Sequence, residues 1–277
     1  MVALVRYAKA LITGALIAFP ASLSAGVATA EPVDVELIIA ADVSLSMSYE
    51  ELEIQRSGYI AALTHDSVID AIQDGIHGKI AVTIFEWAGE SSQNLVVPWT
   101  VIASRADAEA VVAQMRLSPP RSARRTSIAA ALDFAYDLFA ESQYRGMRRV
   151  VDVSGDGPNN HGGLVVPARD RLVSQGVVVN GLPLLTDMRP VGRFDIPDLD
   201  AYYANCVTGG PGSFIVPVTE WAQFPEAIRR KLVLELSGPW SPGWHHAQSG
   251  ERVIPAAMAQ DYDCMVGERR WSEGLWP

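Results

Sequence analysis

The run Leu37-Ile38-Ile39-Ala40-Ala41 is apolar at every position, so a strand built from it hides both of its faces, as an inner strand of a helix-covered sheet does. Asp42-Val43-Ser44-Leu45-Ser46 follows directly. The motif therefore occupies the loop at the strand's carboxyl end, where open α/β sheets bind their ligands. A carboxylate and two hydroxyls at alternating positions can aim three oxygens at one point. That donor set suits a hard divalent cation, magnesium foremost, with calcium or manganese as alternatives.

Downstream, strand and helix patterns alternate. Ser48 and Glu51 form a capping box ahead of Leu52, Tyr59, Ile60 and Leu63, so a helix starts immediately behind the oxygen cluster. Strands are predicted over 79–86, 95–99, 149–154, 177–181 and 214–216, and helices over 107–115, 127–142, 164–175 and 221–236. This order predicts an α/β protein in three layers, a doubly wound, mostly parallel sheet flanked by helices. Residues 186–203, rich in Asp, Pro and Arg, read as a long excursion between the fifth and sixth strands. Residues 237–277 hold Trp240, Trp244, Trp271 and Trp276 without a clear period and read as a Trp-rich C-terminal extension packed on the domain.

The division expected is a secretory signal over 1–30, one domain over 31–236 and the extension over 237–277. Arg6 and Lys9 precede an apolar stretch from Ala10 to Phe19, and Ala28-Thr29-Ala30 has the small-x-small form of a cleavage site. Pro20 interrupts the stretch before the ~20 apolar residues that a spanning helix needs. A periplasmic or secreted protein with no transmembrane anchor in its mature chain is the expectation. Loss of Arg6 and Lys9 leaves 20 basic against 32 acidic residues, a balance of 20 − 32 = −12. Nucleic acid and anionic membrane are poor partners for such a charge. Cys206 and Cys264 are the only cysteines, and in an oxidising compartment they are expected to pair.

Two further loops bear chemistry: Arg124-Arg125-Thr126-Ser127 before the 127–142 helix, and Ser154-Gly155-Asp156-Gly157 after the 149–154 strand. If the first strand and the 149–154 strand are parallel neighbours, Asp42 and Asp156 meet, and Thr126 reaches the same point. The ordered set Asp42-x-Ser44-x-Ser46, Thr126 and Asp156 resembles the von Willebrand factor A-type domain, whose metal-ion-dependent adhesion site (MIDAS) has these loops in this order. The likeness spans about residues 33–236, and extends to a family of exported bacterial A-domain-like proteins. It implies a divalent cation on Asp42, Ser44, Ser46, Thr126 and Asp156, with one coordination position left for an Asp or Glu of a partner protein. It implies a binding module and no catalysis. Arg124 and Arg125, beside Arg116 and Arg121, make a basic island suited to steering such an acidic partner.

The rival is a magnesium-dependent haloacid-dehalogenase-like phosphatase with Asp42 as nucleophile, suggested by Gly155-Asp156-Gly157. That chemistry needs a second carboxylate two residues after the nucleophile to move a proton, and this chain has Ser44 there. Asn160 likewise stands where the later loop closes on Asp. A helix-loop-helix calcium loop starting at Asp42 fails at its sixth position, Met47, where the turn requires glycine. His245-His246 lacks companions for a metal site, and His161 reads as loop decoration.

Overall fold

The computed structural model describes residues 30–119, 121–186, 196–237, 253–255 and 262–273. Residues 1–29 of the expected signal peptide, Trp240, Trp244, Trp276, His245-His246 and residues 187–195 of the excursion lie outside the described residues.

The apolar run forms the second half of β1 (Glu31–Asp42), the central strand of the sheet, and Val35 and Leu37 to Ala40 have no exposed surface. Its partners are β2 (Ile80–Trp87) on one side and β4 (Tyr144–Gly155) on the other, both parallel. With β3 (Gln93–Ile102), β5 (Val177–Pro183), β6 (Phe214–Ile215) and β7 (Ile254–Pro255), the sheet order is β3-β2-β1-β4-β5-β6-β7. Only the two edge strands, β3 and β7, run antiparallel to their neighbours. The chain winds outward from β1 through β2 and then returns to β1's other flank as β4. The gap between β1 and β4 is thus the topological switch point, the place where such sheets open a ligand crevice at their carboxyl ends.

Helices cover both faces. α1 (Tyr49–Leu63), α2 (Asp66–Gln73), α3 (Arg105–Leu117) and α7 (Phe224–Ser237) close one apolar core with Leu37, Ile39, Val82 and Val150. α4 (Ile128–Ala140), α5 (Val165–Ser174) and α6 (Leu199–Tyr202) close the other with Ile38, Ala40, Phe85 and Val153. The alternation of Ile38 and Ile39 between the two cores is the period-2 geometry of a strand buried on both sides. The capping box forms as predicted: Glu51 N–H donates to Ser48 Oγ at 3.2 Å, and Ser48 N–H donates to Glu51 Oε2 at 2.6 Å.

Several elements differ from the sequence expectation, and β7, within the 237–277 extension, was not expected. α2 was not expected; its N-cap is His65, whose Nδ1 accepts from the Ser67 N–H, in place of one of the usual capping residues. β4 starts at Tyr144 rather than at 149, because its half-exposed first residues pair with Glu31 to Val33 through the backbone rather than through apolar burial. The predicted 221–236 helix opens with a 3-10 turn (Trp221–Gln223). The end of the expected excursion is ordered and buried: α6 runs into a π-helical turn (Tyr203–Val207), with Tyr202, Tyr203, Cys206 and Val207 inside the second core. α8 (Val266–Ser272) carries Trp271, the one tryptophan of the extension among the described residues. Cys206 and Cys264 form a disulfide across a separation of 58 residues. Closing such a loop stabilises the folded state by about 4 kcal/mol in the chain-entropy model.

One buried charge cluster ties α7 to the sheet. Lys231 Nζ lies 2.6 Å from Asp152 Oδ1 and also pairs with Glu235, and all three side chains have no exposed surface. Asn180 Nδ2 donates to Glu235 Oε1 at 2.9 Å, Arg148 donates to the Glu235 carbonyl at 2.8 Å, and burial together with the Asp152 charge raises the Tyr59 phenol of α1. One ammonium serves two carboxylates, so both carboxyls are pushed up, chiefly by burial against the pull of Lys231, and Glu235 goes from 4.5 to about 7. Between those values the folded protein keeps a proton that the unfolded chain releases, so stability falls as pH rises from about 5 through about 7. Glu235→Gln leaves one carboxylate for one ammonium and is expected to flatten this decline. Urea unfolding at about pH 5 and about pH 8 measures it, and an equally steep decline in the variant would place its source elsewhere.

Candidate functional site at the carboxyl ends of β1 and β4

The last paired residues of β1 and β4 are Ala41 and Ser154. Asp42 and Gly155-Asp156 therefore leave the sheet side by side at the switch point. Asp42 is fully buried, and its Oδ1 accepts the Ser44 N–H at 2.7 Å, an Asx turn that folds the loop back over the strand end. Its main-chain carbonyl accepts Gln55 Nε2 at 2.8 Å, and Gln55 Oε1 accepts the Ser154 hydroxyl at 3.2 Å. α1 thus fixes the ends of both strands through one amide.

The hydroxyls of Ser44 and Ser46 are 2.7 Å apart, and they reach Asp156 Oδ1 at 3.4 Å and 2.7 Å respectively. Asp42, Ser44, Ser46 and Asp156 consequently form one cluster, from loops 110 or more residues apart in sequence. The Thr126 loop lies alongside. Leu45 N–H donates to the Ala123 carbonyl at 2.9 Å, and Ala123 N–H to the Val43 carbonyl at 3.1 Å. Thr126 is buried, and backbone contacts place it: its N–H donates to Asn160 Oδ1 at 3.0 Å, and its carbonyl accepts the Asn160 N–H at 2.9 Å. Asn160, read from sequence only as a missing acid, is the link between the Thr126 and Asp156 loops.

Asp42 Oδ2 is buried without a hydrogen-bond partner, and so is the Tyr203 hydroxyl. Both stand over Gly155, where an added Cβ would lie 2.5 Å from Tyr203 Oη and 3.0 Å from Asp42 Oδ2. Burial, then the charge of Asp156, raises the Asp42 carboxyl well above the usual carboxylate range, and the Ser44 and Asp156 amides offset this only in part. Burial and the Asp42 charge raise the Tyr203 phenol in turn. The donor chemistry fits a hard cation: an orphaned carboxylate oxygen, a second carboxylate and two hydroxyls converge, and a divalent charge would offset both the burial penalty and the Asp42–Asp156 repulsion. Among the described residues no group of three or more His, Cys, Asp and Glu side chains could hold a metal ion. A cation here would draw on hydroxyl, main-chain and water oxygens besides two carboxylates.

Arg124 and Arg125 are exposed beside this cluster. Arg125 holds φ +74°, alone among the described non-glycine residues in the left-handed region, and its guanidinium stacks 4.1 Å from the Trp271 ring centroid. His161 Nδ1 accepts the Glu90 N–H at 3.1 Å, a contact between loops. Sequence reasoning passed over Gln55, Asn159 and Tyr203. Their only trace in sequence is an amide inside an amphipathic helix, the Asn159-Asn160 pair after Asp156, and a tyrosine next to a cysteine-bearing segment.

The model for the protein of unknown function family DUF1194 matches residues 32–240. The chain belongs to this family. No curated protein matches it. Among solved structures, proximal thread matrix protein 1 from the mussel byssus superposes with a TM-score of 0.55 at 14% identity, over 75% of this chain and 49% of that one. The same protein has been solved with a zinc-occupied MIDAS motif. A von Willebrand factor type A protein from Catenulispora acidiphila gives 0.51 at 16% identity, over 74% and 43%. The pilus adhesin SpaC from Lactobacillus rhamnosus GG gives 0.52 at 11% identity, over 74% and 31%. The DUF1194 chain thus spans half or less of the length of these proteins, and what it shares with them is the fold, a von Willebrand factor A-type α/β sandwich.

Gly155→Ala is expected to destabilise the DUF1194 protein by about 1–3 kcal/mol, because the new methyl meets the buried side chains of Tyr203 and Asp42. Chemical denaturation checks this. An unchanged midpoint would mean that Tyr203 and Asp42 move aside at little cost.

Proposed function

We propose that this protein is an exported, non-catalytic binding module that captures a partner protein through a MIDAS-type divalent cation, most simply magnesium. Asp42, Ser44, Ser46, Thr126 and Asp156 hold the cation directly or through water, and an Asp or Glu of the partner completes its coordination. The observation that carries this reading is the convergence of Asp42, Ser44, Ser46 and Asp156 at the β1/β4 switch point with one buried Asp42 oxygen unpaired. A zinc-occupied MIDAS in a structural relative supports the choice of a divalent cation. Export rests on the leader-like segment 1–30. Among the described residues no helix is long and apolar enough to cross a membrane. Exposed Arg124 steers the acidic partner, while Arg125 shares that task with its contact to Trp271.

Asp42→Ala should separate binding from stability. Loss of a desolvated carboxylate beside Asp156 is expected to leave the metal-free fold intact or raise its melting temperature. The same change is expected to abolish magnesium binding by calorimetry and, as chelator does, recovery of the partner from envelope extract. A variant that still binds magnesium like the wild type would refute the mechanism. Arg124→Ala is expected to slow association and flatten its salt dependence, measured as association rate against ionic strength.

A further inference from the structure

Asn159 is fully buried between the Thr126 and Asp156 loops and touches four segments. Its Oδ1 accepts the Ala129 N–H at 3.0 Å in the first turn of α4, and its own N–H donates to the Tyr202 hydroxyl at 3.1 Å. Its Nδ2 donates to the Gly163 carbonyl at 2.9 Å and to Glu268 Oε1 at 2.8 Å. The last contact comes from α8. The helix sits so close that a Cβ on Gly267 would lie 1.9 Å from the Asn159 carbonyl oxygen, so only glycine fits there. One turn on, Trp271 packs on the guanidinium of Arg125, the left-handed residue immediately before Thr126.

α8 therefore grips the residue before Thr126 and a residue of the Asp156 loop at once. Gly267 is its only buried residue, so the helix adds little apolar burial to the domain. It is instead tethered, by the Cys206–Cys264 disulfide and by Tyr262, whose hydroxyl donates to Asp198 Oδ2 at 2.9 Å. Cys206 belongs to the same π-helical turn as Tyr203, which lies against Gly155 and Asp42. The anchor of the clip and the floor of the oxygen cluster are one piece of chain.

We propose that α8 is the positioning element of the cation site, with Glu268 and Trp271 as positioning residues that set its affinity through Asn159 and Arg125. This rests on the cation reading above. Neither residue touches the cluster itself; each fixes a loop that carries part of it, the role of an outer shell around metal ligands.

The test is calorimetric titration of the full chain with Mn2+, alongside melting in chelator. Glu268→Ala and Trp271→Ala are expected to weaken Mn2+ binding about ten-fold, with melting in chelator little changed. Glu268→Gln keeps an acceptor for Asn159 and Trp271→Phe keeps a ring for Arg125, so both are expected to restore most of the affinity. Wild-type affinity in the alanine variants overturns the proposal. So does an affinity loss matched by a fall in melting temperature, or one that the conservative variants fail to restore, since either makes the role merely structural. A wild-type chain that takes up no Mn2+ and no Mg2+ fails at the cation reading instead.

Discussion

Because β1 and β4 pair in parallel up to Ala41 and Ser154, the carboxylates of Asp42 and Asp156 emerge together at the switch point, in a space closed below by Tyr203 and Trp87. Two negative groups in a low-dielectric pocket repel each other and lose their hydration, so their surroundings must supply a countervailing attraction. The surrounding design answers to that need. The Asx turn at Ser44, the two hydroxyls aimed at Asp156 and the bare Cα of Gly155 each bring polar groups toward the pair or make room for it.

The molecule holds a second buried acidic pair, and the contrast is instructive. At Asp152 and Glu235 an internal ammonium, Lys231, favours the ionised forms. At Asp42 the influences that favour ionisation are all hydrogen bonds, from Ser44 and the Asp156 amide. A hydrogen bond from a neutral donor offsets far less than a full opposite charge at contact distance. The lower pair, inside the fold between α7 and the sheet, is self-sufficient apart from one proton. Asp42, at the sheet's carboxyl edge, is offset by hydrogen bonds from neutral donors, and that is the ground for proposing a cation there.

Much of this was legible in the sequence, for a definable reason. The alternation of apolar strands with capped helices reports burial directly, and it yielded the layers and the parallel core; that Asp42 and Asp156 meet followed only if the first strand and the 149–154 strand were parallel neighbours. Cys206 and Cys264 were paired by compartment and count alone. What the sequence hid was held by hydrogen bonds from residues with no periodic signature. Gln55 and Asn159 look like ordinary polar residues, and only the fold shows one amide joining the ends of β1 and β4 and another joining four segments. The buried end of the excursion escaped notice because α6 and its π-helical turn are too short to develop a helical period. Arg125 looked like a clamp for a partner; its stacking on Trp271 required knowing where the extension returns.

The same geometry weighs on the choice between binding and phosphoryl transfer. A nucleophilic aspartate must present an oxygen in line with the phosphorus it attacks. Asp42 Oδ1 is occupied by the Ser44 amide, and Oδ2 is buried beside Gly155. Two residues on, where an acid would have to move a proton, Ser44 spends its hydroxyl on Ser46 and Asp156. Serine hydroxyls and a second carboxylate gathered beside a buried aspartate suit the sharing of a cation, as proposed above, better than the transfer of a proton. On the binding reading proposed above, Asp42 is thus an anchor for charge rather than a nucleophile.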